Sequence, residues 1–268
     1  MLALMVIGLQ PLMLKQNKVI TKNLDICISN NYICLKVSSK YPKESYFSDF
    51  NFEKRVKTEF LSNFLDKVLD EKNLYNESID DVTIHYDNEL FCFVPNELFD
   101  ENKRKEYLKY ITELKNDDFI SHDSINELDI KNIYLPYVNV NNLLIQKFKE
   151  ISYFHYNSTL LKRLAFENNK LEDKTNLFCI VLYEKLKVVV FKKNNLSFFN
   201  CFDYQNSSDI VYFLLSTCQN LELDINNINL SMIINHNVES LIAESKDFFK
   251  KTKILFDSTE TKQNFLFT

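Results

Sequence analysis

The side chains that could do chemistry in this chain are scattered carboxylates, four histidines and six cysteines. None of them falls at a spacing that defines a site. Acidic residues fall at Asp25, Asp80-Asp81, Asp117-Asp118 and Asp203. Carboxylates can hold a pair of metal ions for phosphodiester hydrolysis, but only where several converge near one strand end. Here they fall at strand starts, strand ends and loops, and they read as caps, turns and solvated ends. His85, His122, His155 and His236 contain no H-x-x-x-H pair and have no cysteine at metal-ligand spacing. His155, just ahead of a helix start at Ser158, reads as a hydrogen-bonded histidine at a strand end. Cys27, Cys34, Cys92, Cys179, Cys201 and Cys218 form no C-x-x-C pair and mostly sit in apolar runs such as Phe91-Cys92-Phe93. They read as small buried hydrophobes, and reduced thiols suit the cytoplasm. There is no G-x-S-x-G elbow, so a serine hydrolase of that type is excluded.

Glycine is nearly absent. The only one among 268 residues is Gly8. A Walker loop, a dinucleotide fingerprint and a glycine-rich kinase loop all need a backbone without Cβ pressed against phosphate. All three are therefore excluded. Asn, Lys and Ile are common, as in an AT-rich genome, and that drift accounts for part of the depletion. The net charge is −5, and no long Lys/Arg run occurs. Lys103-Arg104-Lys105 and Lys250–Lys253 read as solvated faces, so a nucleic-acid partner is not expected. Residues 1–12 read as a non-native or disordered extension, with Met13 the better start. Met1–Leu9 is too short to span a bilayer, and no membrane insertion is expected.

The elements that would position any site repeat. Leu24–Val37 and Leu177–Val190 are each an apolar run, a polar turn and a second apolar run. A third strand of matching pattern follows in each copy, at Ser45–Asn51 and Ser197–Asp203. A helix follows each of these. The first carries Val56, Phe60, Leu61, Phe64, Leu65, Val68 and Leu69 at three-four spacing. The second starts near Ser207 or Ser208 as N-cap, with Asp209 in its first turn and Ile210, Val211, Phe213, Leu214, Leu215 and Cys218 inward. Further strands are expected at Val82–Tyr86 and Ile228–Ile234. The second copy ends with a helix carrying Val238, Leu241, Ile242 and Phe249, then a strand at Ile254–Phe256. The first copy adds a strand at Leu90–Val94, a helix at Glu101–Leu114 and a hairpin of Phe119–Ser124 with Ile133–Tyr137. It then adds a helix at Val140–Lys149, a strand at Tyr153–His155 and a helix at Ser158–Phe166. Alternation puts one residue of Tyr46-Phe47 and one of Phe198-Phe199 on each sheet face. The polar stretch Glu167–Thr175 reads as a joint.

The fold class is thus α/β, with two ribonuclease-H-like, actin-like subdomains, each a mixed sheet with flanking helices. They span residues 13–170, with an inserted α+β segment, and 171–268. The layout is that of the actin-like ATPase superfamily.

Phe93–Phe99, Phe154–Leu161, Phe198–Tyr204, Asp209–Leu215 and Leu221–Asp224 carry a closer resemblance. Together they resemble an uncharacterised family of Bacteroidetes proteins, domain of unknown function thirty-eight twenty-two, from about Leu24 to Phe256. The resemblance implies an actin-like fold near the pilus-assembly and cell-division members, with no established activity. One departure is Leu230–Asn235, where family members carry a glycine near the adenosine site of nucleotide-binding relatives. In actin-like enzymes two facing hairpin turns grip the phosphates. The corresponding turns here are Ser29-Asn30-Asn31 and Tyr183-Glu184-Lys185, neither with glycine. They read as vestigial cleft turns, with no catalytic residue, metal or cofactor. The expected function is a non-catalytic scaffold or interaction module with a protein partner. The alternatives are a nucleotide-binding switch or enzyme using another pocket, and a ribonuclease-H-like nucleic-acid enzyme.

Overall fold

A computed structural model of the chain describes residues 21–148, 150–171, 175–182, 185–234 and 239–256. The first half runs β1 (Lys22–Ile28), β2 (Tyr32–Ser39), β3 (Tyr46–Asn51), α1 (Leu61–Glu71), β4 (Ile79–Tyr86), β5 (Phe91–Pro95) and α2 (Arg104–Leu108). It continues with β6 (Ser121–Ile125), β7 (Ile130–Tyr134), α3 (Val138–Phe148), β8 (Ser152–His155) and α4 (Tyr156–Asn168). The second half runs β9 (Thr175–Leu182), β10 (Lys185–Lys192), β11 (Asn195–Asp203), α5 (Ser207–Asn220), β12 (Asn229–Ile234), α6 (Glu239–Phe248) and β13 (Lys251–Phe256).

The duplication is visible in the topology. One five-stranded sheet is ordered β3-β2-β1-β4-β8 and the other β11-β10-β9-β12-β13. In each, the first three strands are antiparallel and the last two join in parallel. Parallel neighbours need helical crossovers, and α1, α5 and α6 lie in those connections. A three-stranded antiparallel sheet, β5-β7-β6, is inserted in the first half.

Strand alternation sorts the apolar residues into layers. From β1 and β2, Leu24, Ile26, Ile28, Ile33, Leu35 and Val37 face a core shared with α1 and α3. From β9 and β10, Leu177, Cys179, Val181, Leu186, Val188 and Val190 face a core shared with α5 and α6. The opposite faces meet around α4. Cys27, Tyr32 and Cys34 from one sheet and Phe178, Ile180, Leu182, Val189 and Phe191 from the other pack on Leu160, Leu161 and Leu164. Both sheets are therefore covered on both faces, which explains their near-continuous apolar runs. Tyr46 and Phe47 divide between the outer and inner cores, and Phe198 and Phe199 do the same.

Asparagines tie α4 to the second sheet. Asn229 donates to Asn176 (2.8 Å), Asn176 to Asn168 (2.8 Å), and Asn168 to the Lys193 carbonyl (3.0 Å). Lys193 opens the two-residue β10–β11 turn with φ 57°. The other described residues at positive φ are Asn73, Asp129 and Glu222, so side-chain-bearing residues occupy a region that glycine normally fills.

Several elements differ from their sequence pattern. α1 begins at Leu61, so Val56 precedes it. Leu61, Leu65, Val68 and Leu69 are its buried face, while Phe60 and Phe64 lie one position round the helix and stay exposed. α2 ends at Leu108 rather than Leu114, because Leu108 is its one buried residue and Tyr110 and Ile111 face solvent. Asn206 rather than Ser207 or Ser208 caps α5, its side chain accepting from the Asp209 N–H. His155 rather than Ser158 caps α4. β13 starts at Lys251, three residues before the apolar triplet. Within the α6 pattern, Val238 lies outside the described residues, as does Lys149 at the end of α3.

Candidate functional site

The turn between β1 and β2 is built without left-handed backbone; none of Ser29, Asn30 and Asn31 has positive φ. Its inward N–H groups are already used. Asn31 N and Tyr32 N both donate to Ser29 Oγ (3.0 and 3.1 Å), and Ser29 N donates to the Tyr32 carbonyl (2.9 Å). The serine hydroxyl thus stands where an anion oxygen would have to sit. The outer side of the turn is stapled to the segment between β3 and α1. Phe52 N and Val56 N donate to the carbonyls of Asn31 and Asn30 (both 2.8 Å). The Asn30 side chain donates to the Val56 carbonyl (2.6 Å) and accepts from Tyr137 Oη (2.8 Å).

Of the facing turn, Tyr183 and Glu184 lie outside the described residues. Lys185 opens β10 and reaches across the cleft. It pairs with Asp203 on its own sheet (2.6 Å) and with Glu89, which follows β4 in the other lobe. The structure therefore brings Lys185 toward the first lobe, where it lines the same space as Ser29, Asn30 and Asn31.

The main polar feature of the cleft involves Lys187 and Asp87, which the residue patterns did not single out. Lys187 alternates with Val189 and Phe191, so the pleat turns it onto the inner face, where it is only 2% exposed. Its ammonium donates to Asp87 Oδ1 (2.5 Å) and Asn157 Oδ1 (2.7 Å) and lies 4.3 Å from the Tyr156 ring centroid. Asp87, at the end of β4, also accepts from Tyr32 Oη at Oδ2 (2.6 Å). Burial pushes the Asp87 carboxyl up, but the Lys187 charge, its hydrogen bond and the Tyr32 hydroxyl outweigh it and leave the carboxyl below the usual carboxylate range. Burial raises the Tyr32 hydroxyl and the Cys27 thiol well above their ordinary values, and nearby Asp87 adds to both. Neither is an available nucleophile at neutral pH. The space lined by Ser29–Tyr32, Arg55, Asp87–Glu89, Lys185, Lys187 and Cys201 is about 50 Å³. Ligand pockets run to roughly 300–1,000 Å³.

His155 Nδ1 accepts from the Asn157 N–H (3.1 Å), so its proton resides on Nε2, 3.2 Å from the Asn88 carbonyl. Burial brings its pKa down to about 3. Its backbone N–H donates to buried Asp123, which also accepts from Tyr134 Oη. The His155 ring is a helix cap that ties α4 to the cleft floor. His85 is likewise buried, its pKa lowered by desolvation to about 4, with Thr159 Oγ1 3.2 Å from Nδ1. His122 packs against Phe99 near the surface, and His236 lies outside the described residues. Asp203 is held by Lys185, Asp118 accepts from the Lys115 N–H, and Asp25 lies within β1. Among the described residues no three His, Cys, Asp or Glu side chains come close enough to hold a metal ion. All six cysteines are free thiols, with Cys92 and Cys201 half-buried and the rest buried.

A groove of about 450 Å³ opens beside the closed cleft. Asn30, Arg55, Val56, Lys57, Thr58, Asn88, Glu89, Leu90 and Tyr137 line it.

The family described as "Protein of unknown function (DUF3822)" matches residues 14–257. No curated protein matches the chain. A Bacteroides thetaiotaomicron protein with actin-like ATPase fold and unknown function superposes with TM-score 0.70 at 19% identity, over 89% of this chain and 91% of that one. A chain of the PilM-PilN type IV pilus biogenesis complex superposes with TM-score 0.57 at 9% identity, over 91% and 94%. At these identities the likeness establishes an actin-like fold of two subdomains.

Proposed function

We propose a scaffold function for this chain, which belongs to the DUF3822 family: a non-catalytic, actin-like interaction module that does not hydrolyse ATP. The observation that carries this reading is the Lys187–Asp87 pair, which ties the second lobe to the first across the cleft. Ser29 supports it by occupying the N–H groups of the first turn. On this reading the actin-like body is kept as a shape, and a shape serves by holding a partner. We place it in the cytoplasm, a compartment compatible with six free thiols. Among the described residues no helix is long and apolar enough to cross a membrane.

Thermal melting with and without Mg-ATP tests the proposal. Ligand at 100 times its Kd stabilises a protein by about 2.7 kcal/mol, which at this size raises Tm by several degrees. The expected result is no shift at millimolar Mg-ATP. A rise of several degrees would overturn the closed-cleft reading and favour a nucleotide-binding switch.

A further inference from the structure

We propose that the groove beside the cleft is the docking site for an acidic, partly apolar peptide segment of a partner protein, with Arg55 and Lys57 as its charge readers. This rests on the scaffold reading and names the chemistry of the partner. The groove, about 450 Å³, is nine times the volume of the closed cleft beside it. Its cations come from one short stretch. Arg55 and Lys57 flank Val56, and Lys57 is extended (φ −67°, ψ 142°), so the two are presented from alternate positions of the chain. Both are exposed, and among the described residues neither has an ion-pair partner. The one carboxylate lining the groove, Glu89, shares the Lys185 ammonium with Asp203. Glu53 and Glu59, on the same segment, do not line it. The groove lining thus carries two cations against one carboxylate, a positive balance in a chain of net charge −5.

The supports are stiff. Val56 is held at both its N–H and its carbonyl by Asn30, and Asn30 is held in turn by Tyr137. Asn139 of α3 donates to the Thr58 carbonyl (3.0 Å). The backbone that carries the cations is therefore anchored before a ligand arrives. Val56, Leu90 and Tyr137 add apolar surface to the lining. An extended peptide with acids at alternate positions and apolar residues between them matches this arrangement.

The test uses the full chain and a pool of synthetic eight-residue peptides with Asp or Glu at alternate positions and Leu, Val, Phe or Tyr between them. Retention is compared for wild type, the Arg55→Glu/Lys57→Glu double variant, and a pool with Asn and Gln replacing the acids. The acidic pool is expected to bind wild type at least tenfold more tightly than it binds the double variant, and the neutral pool to bind at least tenfold more weakly. Binding should fall as salt rises, because the charges are exposed. Both substituted side chains are at the surface, and a urea melt of the double variant close to wild type confirms that it is folded. Absence of retention by wild type, or equal retention by the double variant, overturns the proposal. Competition by Mg-ATP overturns it in favour of a small anionic ligand. A partner recovered equally by wild type and double variant sinks the groove and leaves the scaffold reading standing. Stabilisation by Mg-ATP sinks the scaffold reading itself.

Discussion

Replacing Lys187 by Met is the sharpest perturbation of the cleft. Methionine keeps much of the aliphatic stem against Tyr156 and removes the charge. Asp87 is then left buried, with the Tyr32 hydroxyl donating to it. Removing one partner of a buried ion pair costs about 3–5 kcal/mol, because the remaining charge is uncompensated. At roughly 2–4 °C per kcal/mol this is a fall in Tm of roughly 6–20 °C. Asp87→Asn should cost a comparable amount, since it strands the ammonium among Asn157 and Tyr156. The double variant Lys187→Met/Asp87→Asn removes both charges and keeps an acceptor for Tyr32. It should be less destabilised than the sum of the two singles by about 1–3 kcal/mol, the range of coupling between contacting residues. Urea unfolding of all four proteins measures this. Asp87 titrates below the usual carboxylate range when folded. Its contribution is therefore present above the unfolded value of about 3.9 and lost as pH falls through the folded one. A Lys187→Met cost below about 1 kcal/mol, or a double variant equal to the sum, would refute the reasoning that the pair is a buried, coupled lock.

Three further outcomes follow from the same geometry. His85 and His155 have folded pKa values of about 4 and 3, below the ordinary 6.5, so the unfolded chain binds protons that the native one refuses. Stability should fall as pH drops from 6.5 toward 4, and His85→Phe should reduce the slope of unfolding free energy against pH by about 1.4 kcal/mol per unit. Ser29→Ala should cost about 1–3 kcal/mol in urea melts by leaving the N–H groups of Asn31 and Tyr32 without their hydroxyl acceptor. Lys193→Gly and Glu222→Gly should each leave stability unchanged or raise it by up to about 1 kcal/mol, because a left-handed backbone strains any residue with a Cβ.

The fold was legible in the sequence because the repeat is written in local patterns. Leu24–Val37 and Leu177–Val190 each show two apolar runs about a polar turn, and doubly covered sheets require such runs. The inward and outward sorting of Tyr46-Phe47 and Phe198-Phe199 followed from the pleat alone. Helix boundaries were less legible. Phe60 and Phe64 share the apolar spacing of α1 but fall on its rim, and apolarity does not distinguish rim from core. Caps failed where an unexpected side chain did the work, as His155 does for α4. The site was hardly legible. A lysine in the strand Lys185–Lys192 signals either an edge or a buried partner, and that partner, Asp87, is 100 residues away. Nothing local to either residue announces the other. Of the six turn residues that the actin-like layout implied, Ser29–Asn31 and Lys185 are described: the first three hydrogen-bond within their own lobe and Lys185 pairs with Asp203 and Glu89.

The shared core around α4 has a consequence for synthesis. Cys27, Tyr32, Cys34 and the α4 leucines are made before Phe178, Ile180, Leu182, Val189 and Phe191, which complete their layer. A ribosome that has translated through α4 holds a first lobe with one finished core and one bare apolar flank. That flank stays open to chaperones, or to another nascent copy, until β10 has emerged. The two lobes therefore mature together, and a chain stalled between them is the species most at risk of aggregation.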